Sequence, residues 1–202
     1  KGKLMGKLYV IIGKSASGKD TLAKKLLGDK SLKLCPVVPY TTRPIREGET
    51  EGEDYHFCTL RQFWTLREKK KMIEVRSYHT VYGEWNYFTA DDGQIDLEAH
   101  SSLTVGTLES LKSFRRYFGC DRIVPIYIEV DDGERLQRAL DRERCEKEPK
   151  YEELCRRFLA DQKDFSEENL LKAGIIYRYQ NNDTTKTADQ IAAMIKGDQN
   201  GY

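Results

Sequence analysis

The 202 residues carry 34 Lys and Arg against 33 Asp and Glu, a net charge of +1, with 33% charged and 39% apolar residues. That length and composition suit one globular core with small insertions, and so even a charge balance argues against a dedicated nucleic-acid binder. No apolar run approaches the ~18 residues of a membrane span, and the run at residues 8–12 is too short for the core of a secretory signal. Met5 is the expected natural start. The five cysteines are odd in number and form no C-x-x-C, and only three histidines accompany them. Neither a disulfide framework nor a zinc site is supported, and reduced thiols in a cytoplasm are expected.

The chain opens with Leu8-Tyr9-Val10-Ile11-Ile12, a short apolar run of the buried parallel-strand kind, closed by Gly13. A helical pattern follows from Thr21, with Leu22, Ala23, Leu26 and Leu27 on one face and Gly28 as its stop. Residues 34–38 form a candidate second strand. Residues 41–97 change character. They are rich in Arg, Glu, Gly and Tyr, with short strand-like pieces and a helix whose stripe is Leu60, Phe63 and Trp64. The Lys69-Lys70-Lys71 run beyond it reads as a solvated helix end. Alternation then resumes, with a strand at 103–105 and a helix presenting Leu108, Leu111, Phe114 and Phe118 up to Gly119. A strong strand at 123–130 precedes a helix capped by Asp131, with Glu134 at capping-box spacing. A charged break at 142–150 leads to a helix from Tyr151. A last strand at 175–180 precedes a helix with Ala188, Ile191, Ala192 and Ile195 inward. Strands separated by helices imply an α/β fold, a mostly parallel sheet with helices on both faces.

Gly13-Lys14-Ser15-Ala16-Ser17-Gly18-Lys19-Asp20-Thr21 carries G-x-x-x-x-G-K between a strand and a helix. This is the context a P-loop requires. The glycines let backbone N–H groups converge on phosphate oxygens, the helix N-terminus adds positive potential, and Lys19 supplies a mobile cation. Chance alone would place the pattern in about one chain of this length in twenty, so the strand-loop-helix context is what separates it from a glycine turn. The usual Ser or Thr after the lysine is Asp20 here, with Thr21 one position later. Which of Asp20 and Thr21 organises Mg²⁺ stays open.

Residues 40–57 form the second signal. Arg43 and Arg46, three apart, can grip one phosphate monoester, and a tyrosine hydroxyl can complete the grip. Surface ion pairs with the neighbouring Glu and Asp residues are the alternative. The run T-T-R-x-x-R-x-G-E-x-x-G-x-D-Y-x-F after a G-K-x-T loop resembles guanylate kinases, and the likeness extends from Leu8 to about Ile195. The resemblance implies that Arg43, Arg46, Tyr55 and a second tyrosine hold the acceptor phosphate. Tyr87 with Thr89 is the choice for that second position, Tyr82 its competitor, and packing the alternative for both tyrosines. It implies that Glu74 reads guanine, because a carboxylate accepts from two adjacent guanine N–H groups that adenine lacks, and that GMP is preferred over AMP. Pro39 stands where the family has a serine, and Val105 and Thr107 where it has an acidic pair. These departures weaken the assignment of guanine.

The resemblance further places lid arginines near the charged break: Arg157 in register, and Arg142 and Arg144 on either side of an earlier family arginine. Arg138 and Arg156 belong to the same cluster, with solvated ion pairs as the alternative. Asn182 matches an asparagine near the donor base, or is simply part of a turn. The implied fold is a P-loop three-layer core (1–40, 98–140 and 160–202) with an acceptor-binding insertion (41–97) and a short lid (141–159). The implied reaction moves the γ-phosphoryl of MgATP to GMP, giving ADP and GDP, with no nucleic-acid or membrane partner. A ribose 1,5-bisphosphate phosphokinase is the nearer alternative, sharing the G-K-D loop, T-R-P and N-N-D. A non-catalytic guanylate-kinase-like binding module is the remoter one, disfavoured by the intact Gly13, Gly18 and Lys19.

Overall fold

The computed structural model describes residues 5–46, 48–80 and 83–200. In chain order the strands are β1 (Leu8–Gly13), β2 (Leu34–Pro36), β3 (Tyr40–Thr41), β4 (His56–Phe57), β5 (Met72–Thr80), β6 (Gly83–Ala90), β7 (Ser101–Gly106), β8 (Ile123–Glu129) and β9 (Arg178–Gln180). The helices are α1 (Lys19–Gly28), α2 (Leu60–Glu68), α3 (Leu108–Phe118), α4 (Asp132–Arg144), α5 (Tyr151–Asp164), α6 (Glu167–Lys172) and α7 (Thr184–Asn200).

The main sheet has five strands in the order β2-β7-β1-β8-β9, every neighbouring pair parallel. Its central strand β1 is buried throughout, and the period of two splits it between two cores. Leu8, Val10 and Ile12 join Leu111, Phe114, Phe165 and Leu170 on the face covered by α3, α5 and α6. Tyr9 and Ile11 join Leu22, Leu26, Ile191 and Ile195 on the face covered by α1 and α7. The α/β fold with helices on both faces is therefore as the alternation implied. The buried Tyr9 hydroxyl donates to Asp198 from 2.8 Å, which ties β1 to the end of α7.

The second sheet has four strands in the order β4-β3-β6-β5. Its largest part is the antiparallel β5–β6 hairpin at one edge, longer than the short pieces the sequence pattern suggested. Phe63, Phe88 and Ala90 form its small core. In α2 only Phe63 of the expected stripe is buried, while Leu60 and Trp64 are about half exposed at 53% and 49%. The reason is that a two-layer insertion offers α2 one sheet face and nothing beyond it. Lys69, Lys70 and Lys71 are exposed as expected, and Lys70 ends the helix in the left-handed region at φ 54.

Elsewhere the boundaries shift. β2 stops at Pro36 and β9 begins only at Arg178, leaving Ile176 and Tyr177 exposed. Asp131 caps α4 by accepting from the Gly133 and Glu134 amides, but Glu134 turns to Arg138 instead of back to the cap. Ser166 caps a short additional helix, α6, after α5.

Candidate active site

The phosphate loop leaves β1 at Gly13 and enters α1 at Lys19. Two glycines are sterically required. A Cβ on Gly13 would lie 2.6 Å from the Ile128 carbonyl oxygen, and Gly18 has φ +82 with the Asn181 amide 2.5 Å from where its Cβ would stand. Ala16 also takes a left-handed φ of 60. Ser17 is buried, its carbonyl accepts from Asn181 Nδ2 at 2.7 Å, and its hydroxyl has no hydrogen-bond partner. Lys19 makes no ion pair with a carboxylate among the described residues. Asp20 and Thr21 are both exposed in the first turn of α1.

The near arm of the loop is clamped from above. The Ser15 amide donates to Asp161 Oδ2 at 2.7 Å, and Arg135 donates to the Ser15 carbonyl at 2.9 Å. Arg135 is 1% exposed, lies over the Phe158 ring, and also holds Asp132. Lys14 reaches Gln162 at 2.6 Å and Asp132 at 3.3 Å. Burial works against the charge of Asp132, but hydrogen bonds from Gln162 and Arg135 outweigh it and hold its carboxyl down at about 2. A cavity of about 370 Å³ opens beside this clamp at the C-terminal ends of β8 and β9, with Lys14, Asp131, Arg135 and Asn182 in its wall. Ligands of open α/β sheets bind at such strand ends.

Of the lid arginines, Arg142 and Arg157 line one small void with Ser15. Arg157 Nε is buried there without a hydrogen bond, 3.4 Å from a Glu153 oxygen. Arg144 stands apart, 60% exposed and paired with Asp141 at 3.5 Å. Arg156 pairs with Glu153, and Arg138 with Glu134.

The candidate acceptor cleft is one face of the β5–β6 hairpin. Cross-strand register sets Glu74 opposite Thr89, Arg76 opposite Tyr87 and Tyr78 opposite Trp85, and all point to the same side. Arg43 reaches this face from the loop after β3. It is 3% exposed, donates from Nε to the Tyr87 hydroxyl at 3.1 Å, and forks onto Glu49 at 2.9 and 2.7 Å. Burial opposes the Arg43 charge, yet Glu49 and Tyr87 hold its guanidinium protonated above the ordinary value. Tyr55 lies under Arg43 with its ring edge-on to Tyr87. Burial, then Tyr87 and Asp20, push the Tyr55 hydroxyl up. Arg46 is exposed; its backbone N–H donates to Glu49 at 2.8 Å, and its guanidinium makes no ion pair among the described residues. Glu74 is buried beneath Thr89 and Arg76. The structure thus brings Arg43, Tyr55, Tyr87, Thr89 and Glu74 onto one cleft, with Arg46 at its rim. Tyr82 lies outside the described residues.

The two halves meet. Lys24 of α1 pairs with Asp54 of the acceptor loop at 3.6 Å, and Asp20, one turn earlier on α1, acts on Tyr55. The guanylate kinase family model matches residues 5–197. The chain belongs to the guanylate kinase family. The guanylate kinase of Brucella melitensis is 40% identical over 79 residues, which is 39% of this chain and 36% of that protein. That of Schizosaccharomyces pombe is 46% identical over 68 residues, 34% of each chain. The aligned part therefore spans about a third of these relatives' length. The crystal structure of guanylate kinase from Anaplasma phagocytophilum matches with a TM-score of 0.67 at 25% identity, covering 98% of this chain and 88% of that one.

Within the guanylate kinase fold, the departures read from the sequence have structural duties. The Pro39 carbonyl accepts from the His56 amide at 2.9 Å, holding β4 beside β3. Val105 packs against the α1–α7 core, and Thr107 caps α3 in a reciprocal box with Ser110. Five residues at the site were not singled out from sequence. Arg76 and Tyr78 had a signal, the alternation of two from Glu74. Asn181 had a weak one as the neighbour of Asn182. The Arg135–Asp161 clamp had none, because helix spacing relates residues within α4 or α5 but not between them.

Proposed function

We propose that this chain transfers the γ-phosphoryl group of ATP to GMP, giving ADP and GDP. The observation that carries the reading is the contact of the phosphate-loop helix with the acceptor loop through the Lys24–Asp54 ion pair at 3.6 Å, with the Asp20 charge felt at the Tyr55 hydroxyl. A donor bound at Gly13, Ser15, Ala16, Ser17, Gly18 and Lys19 and an acceptor phosphate at Arg43, Arg46, Tyr55 and Tyr87 would share one cleft. Positioning and electrostatic neutralisation then supply the catalysis, with no covalent intermediate on the protein. Arg43 is the fixed element of the acceptor grip and Arg46 the mobile one. Lys19 follows the charge from the β- to the γ-phosphate, and Arg142 and Arg157 close on it from the lid. Arg144 contributes only if α4 moves. Glu74 and Thr89 face the acceptor base, and Asn182 the donor base.

The oxygen donors of Asp20 and Thr21, exposed at the mouth of the loop, fit Mg²⁺, which takes few protein ligands alongside phosphate oxygens. When bound it supplies charge neutralisation between the phosphates. The division into a core (1–40, 98–140, 160–202), an acceptor-binding part (41–97) and a lid (141–159) belongs to this reading. Lid closure would exclude water and so suppress ATP hydrolysis. Five free thiols accord with a reducing cytoplasm.

The test is ADP release from MgATP across GMP, AMP, IMP, guanosine and ribose 1,5-bisphosphate. The expected result is turnover with GMP and none with guanosine. A fast rate with the sugar bisphosphate and none with GMP would replace GMP as the acceptor.

A further inference from the structure

Glu74 does not meet the cleft as a free carboxylate. Its side chain is 2% exposed and that of Arg76 14%. Arg76 follows it by two residues on the same face of β5 and closes on it as a fork, Nε to Oε2 at 3.0 Å and Nη2 to Oε1 at 3.2 Å. Thr89 Oγ1 donates to Oε1 at 3.1 Å. A carboxylate offers about four lone-pair sites, so three are filled. The two that lie side by side are those the guanidinium takes.

Guanine presents N1–H and N2–H as two parallel donors, the same fork that arginine presents with Nε–H and Nη2–H. The two forks compete for the same pair of lone pairs. The arginine fork is charged and the guanine fork neutral, and charge-assisted bonds of this kind are roughly twice as strong. Burial opposes the Arg76 charge, but the Glu74 carboxylate outweighs it, so the resident guanidinium stays protonated.

We propose that Arg76 sets base selectivity at this cleft: it occupies the fork of Glu74 that a guanine edge would need. The wild-type pocket then separates guanine from hypoxanthine poorly, and removing the guanidinium turns that separation on. This rests on the reading of the cleft as the acceptor-base pocket.

GMP and IMP differ only in the 2-amino group, so the ratio of their dissociation constants reads the Glu74 fork directly. Calorimetry on the wild type should place the two within about threefold. In Arg76→Ala the preference for GMP should rise to about tenfold or more, the value of a hydrogen bond to a charged group. Adding Glu74→Gln to that variant should return the ratio toward one, which loss of a merely structural ion pair would not do. Should Arg76→Ala fail to give a cooperative melt, Arg76→Lys decides, since an ammonium cannot fork and should give an intermediate rise. A wild type already preferring GMP more than tenfold overturns the proposal, as does a ratio unmoved by the folded variants. If the wild type binds neither nucleotide, gain of GMP binding in Arg76→Ala supports the proposal and its absence overturns it. The kinase reading fails separately, by absence of ADP release with every acceptor phosphate.

Discussion

The two sheets of this molecule are held together by different physics. The main sheet buries β1 on both faces, between two apolar clusters fed by helices on either side. The acceptor sheet has the small core of Phe63, Phe88 and Ala90, while Thr41, Arg43, Glu74, Asn86 and Thr89 are also buried there. Its cleft face carries two ion pairs, Glu74–Arg76 and Glu49–Arg43, with Thr89 bonded to the first and Tyr87 to the second. Apolar contact is non-directional and tolerant, whereas a buried charged network is stable only when every member is satisfied. On this physical ground the main sheet is expected to be the more stable part, and the second sheet the part whose local opening is governed by its polar partners.

The largest expected effect tests that division directly. Phe63→Ala removes the centre of the small core and should cost about 3–5 kcal/mol locally. Hydrogen exchange should then show β5 and β6 amides losing protection while β1 amides keep theirs. Equal loss in both sheets would mean that they unfold as one unit.

Lys19→Ala strikes the donor half through chemistry. Removal of a preorganised charge contact should lower kcat by about 100-fold or more, with an unchanged melting temperature. Near-wild-type turnover in the folded variant would remove Lys19 from the phosphate site.

Arg43→Lys keeps the charge but cannot serve Tyr87 and both Glu49 oxygens at once. The acceptor KM should rise by about tenfold or more while the KM for ATP stays put. A change confined to the ATP side would sever Arg43 from the acceptor. Among the lid arginines, Arg157→Ala should slow turnover by roughly tenfold and Arg144→Ala hardly at all, since exposed ion pairs carry little energy. Steady-state rates of the two variants at saturating substrates make the comparison, and equal losses would show that α4 rearranges.

The smallest effect concerns the clamp on the phosphate loop. The Asp132 carboxyl is held at about 2 against an ordinary 3.8, so its contribution to stability is present in full above about pH 4 and lost as pH falls toward 2. The side chain is 45% exposed, and solvent screening limits that contribution to about 1 kcal/mol or less. The stability gap between wild type and Asp132→Asn, followed by denaturant melts, should be flat from pH 5 to 7 and close below pH 4. A gap that widened in acid would show that Asp132 is destabilising as a carboxylate.

The main sheet was legible because its signals are local. An apolar run, a glycine loop and an amphipathic helix are each written in a few consecutive residues, and β1, the phosphate loop and α1 follow one another without interruption. The stretch from Arg43 to Tyr55 stood out through its resemblance to the family's run, while the Arg43–Glu49 pair within it is what local charge alone suggested. The pairing of Arg76 with Glu74 was half legible: the alternation places them on one face, but not which partner each side chain takes.

By itself the sequence determined the alternation of strands and helices in the main sheet and the strand, glycine loop and helix that open it, since each depends on neighbours within one or two turns of chain. Only the tertiary structure decided that Asp161 and Arg135 clamp Ser15 across 146 and 120 residues, and that Asn181 rather than Asn182 packs on the loop. It alone set Arg142 and Arg157 beside Ser15 while leaving Arg144 outside. These contacts are fixed by how helices settle on a twisted sheet, where a shift of one residue turns a side chain by about 100° around the helix. Spacing along the chain does not encode that angle; the packed core does.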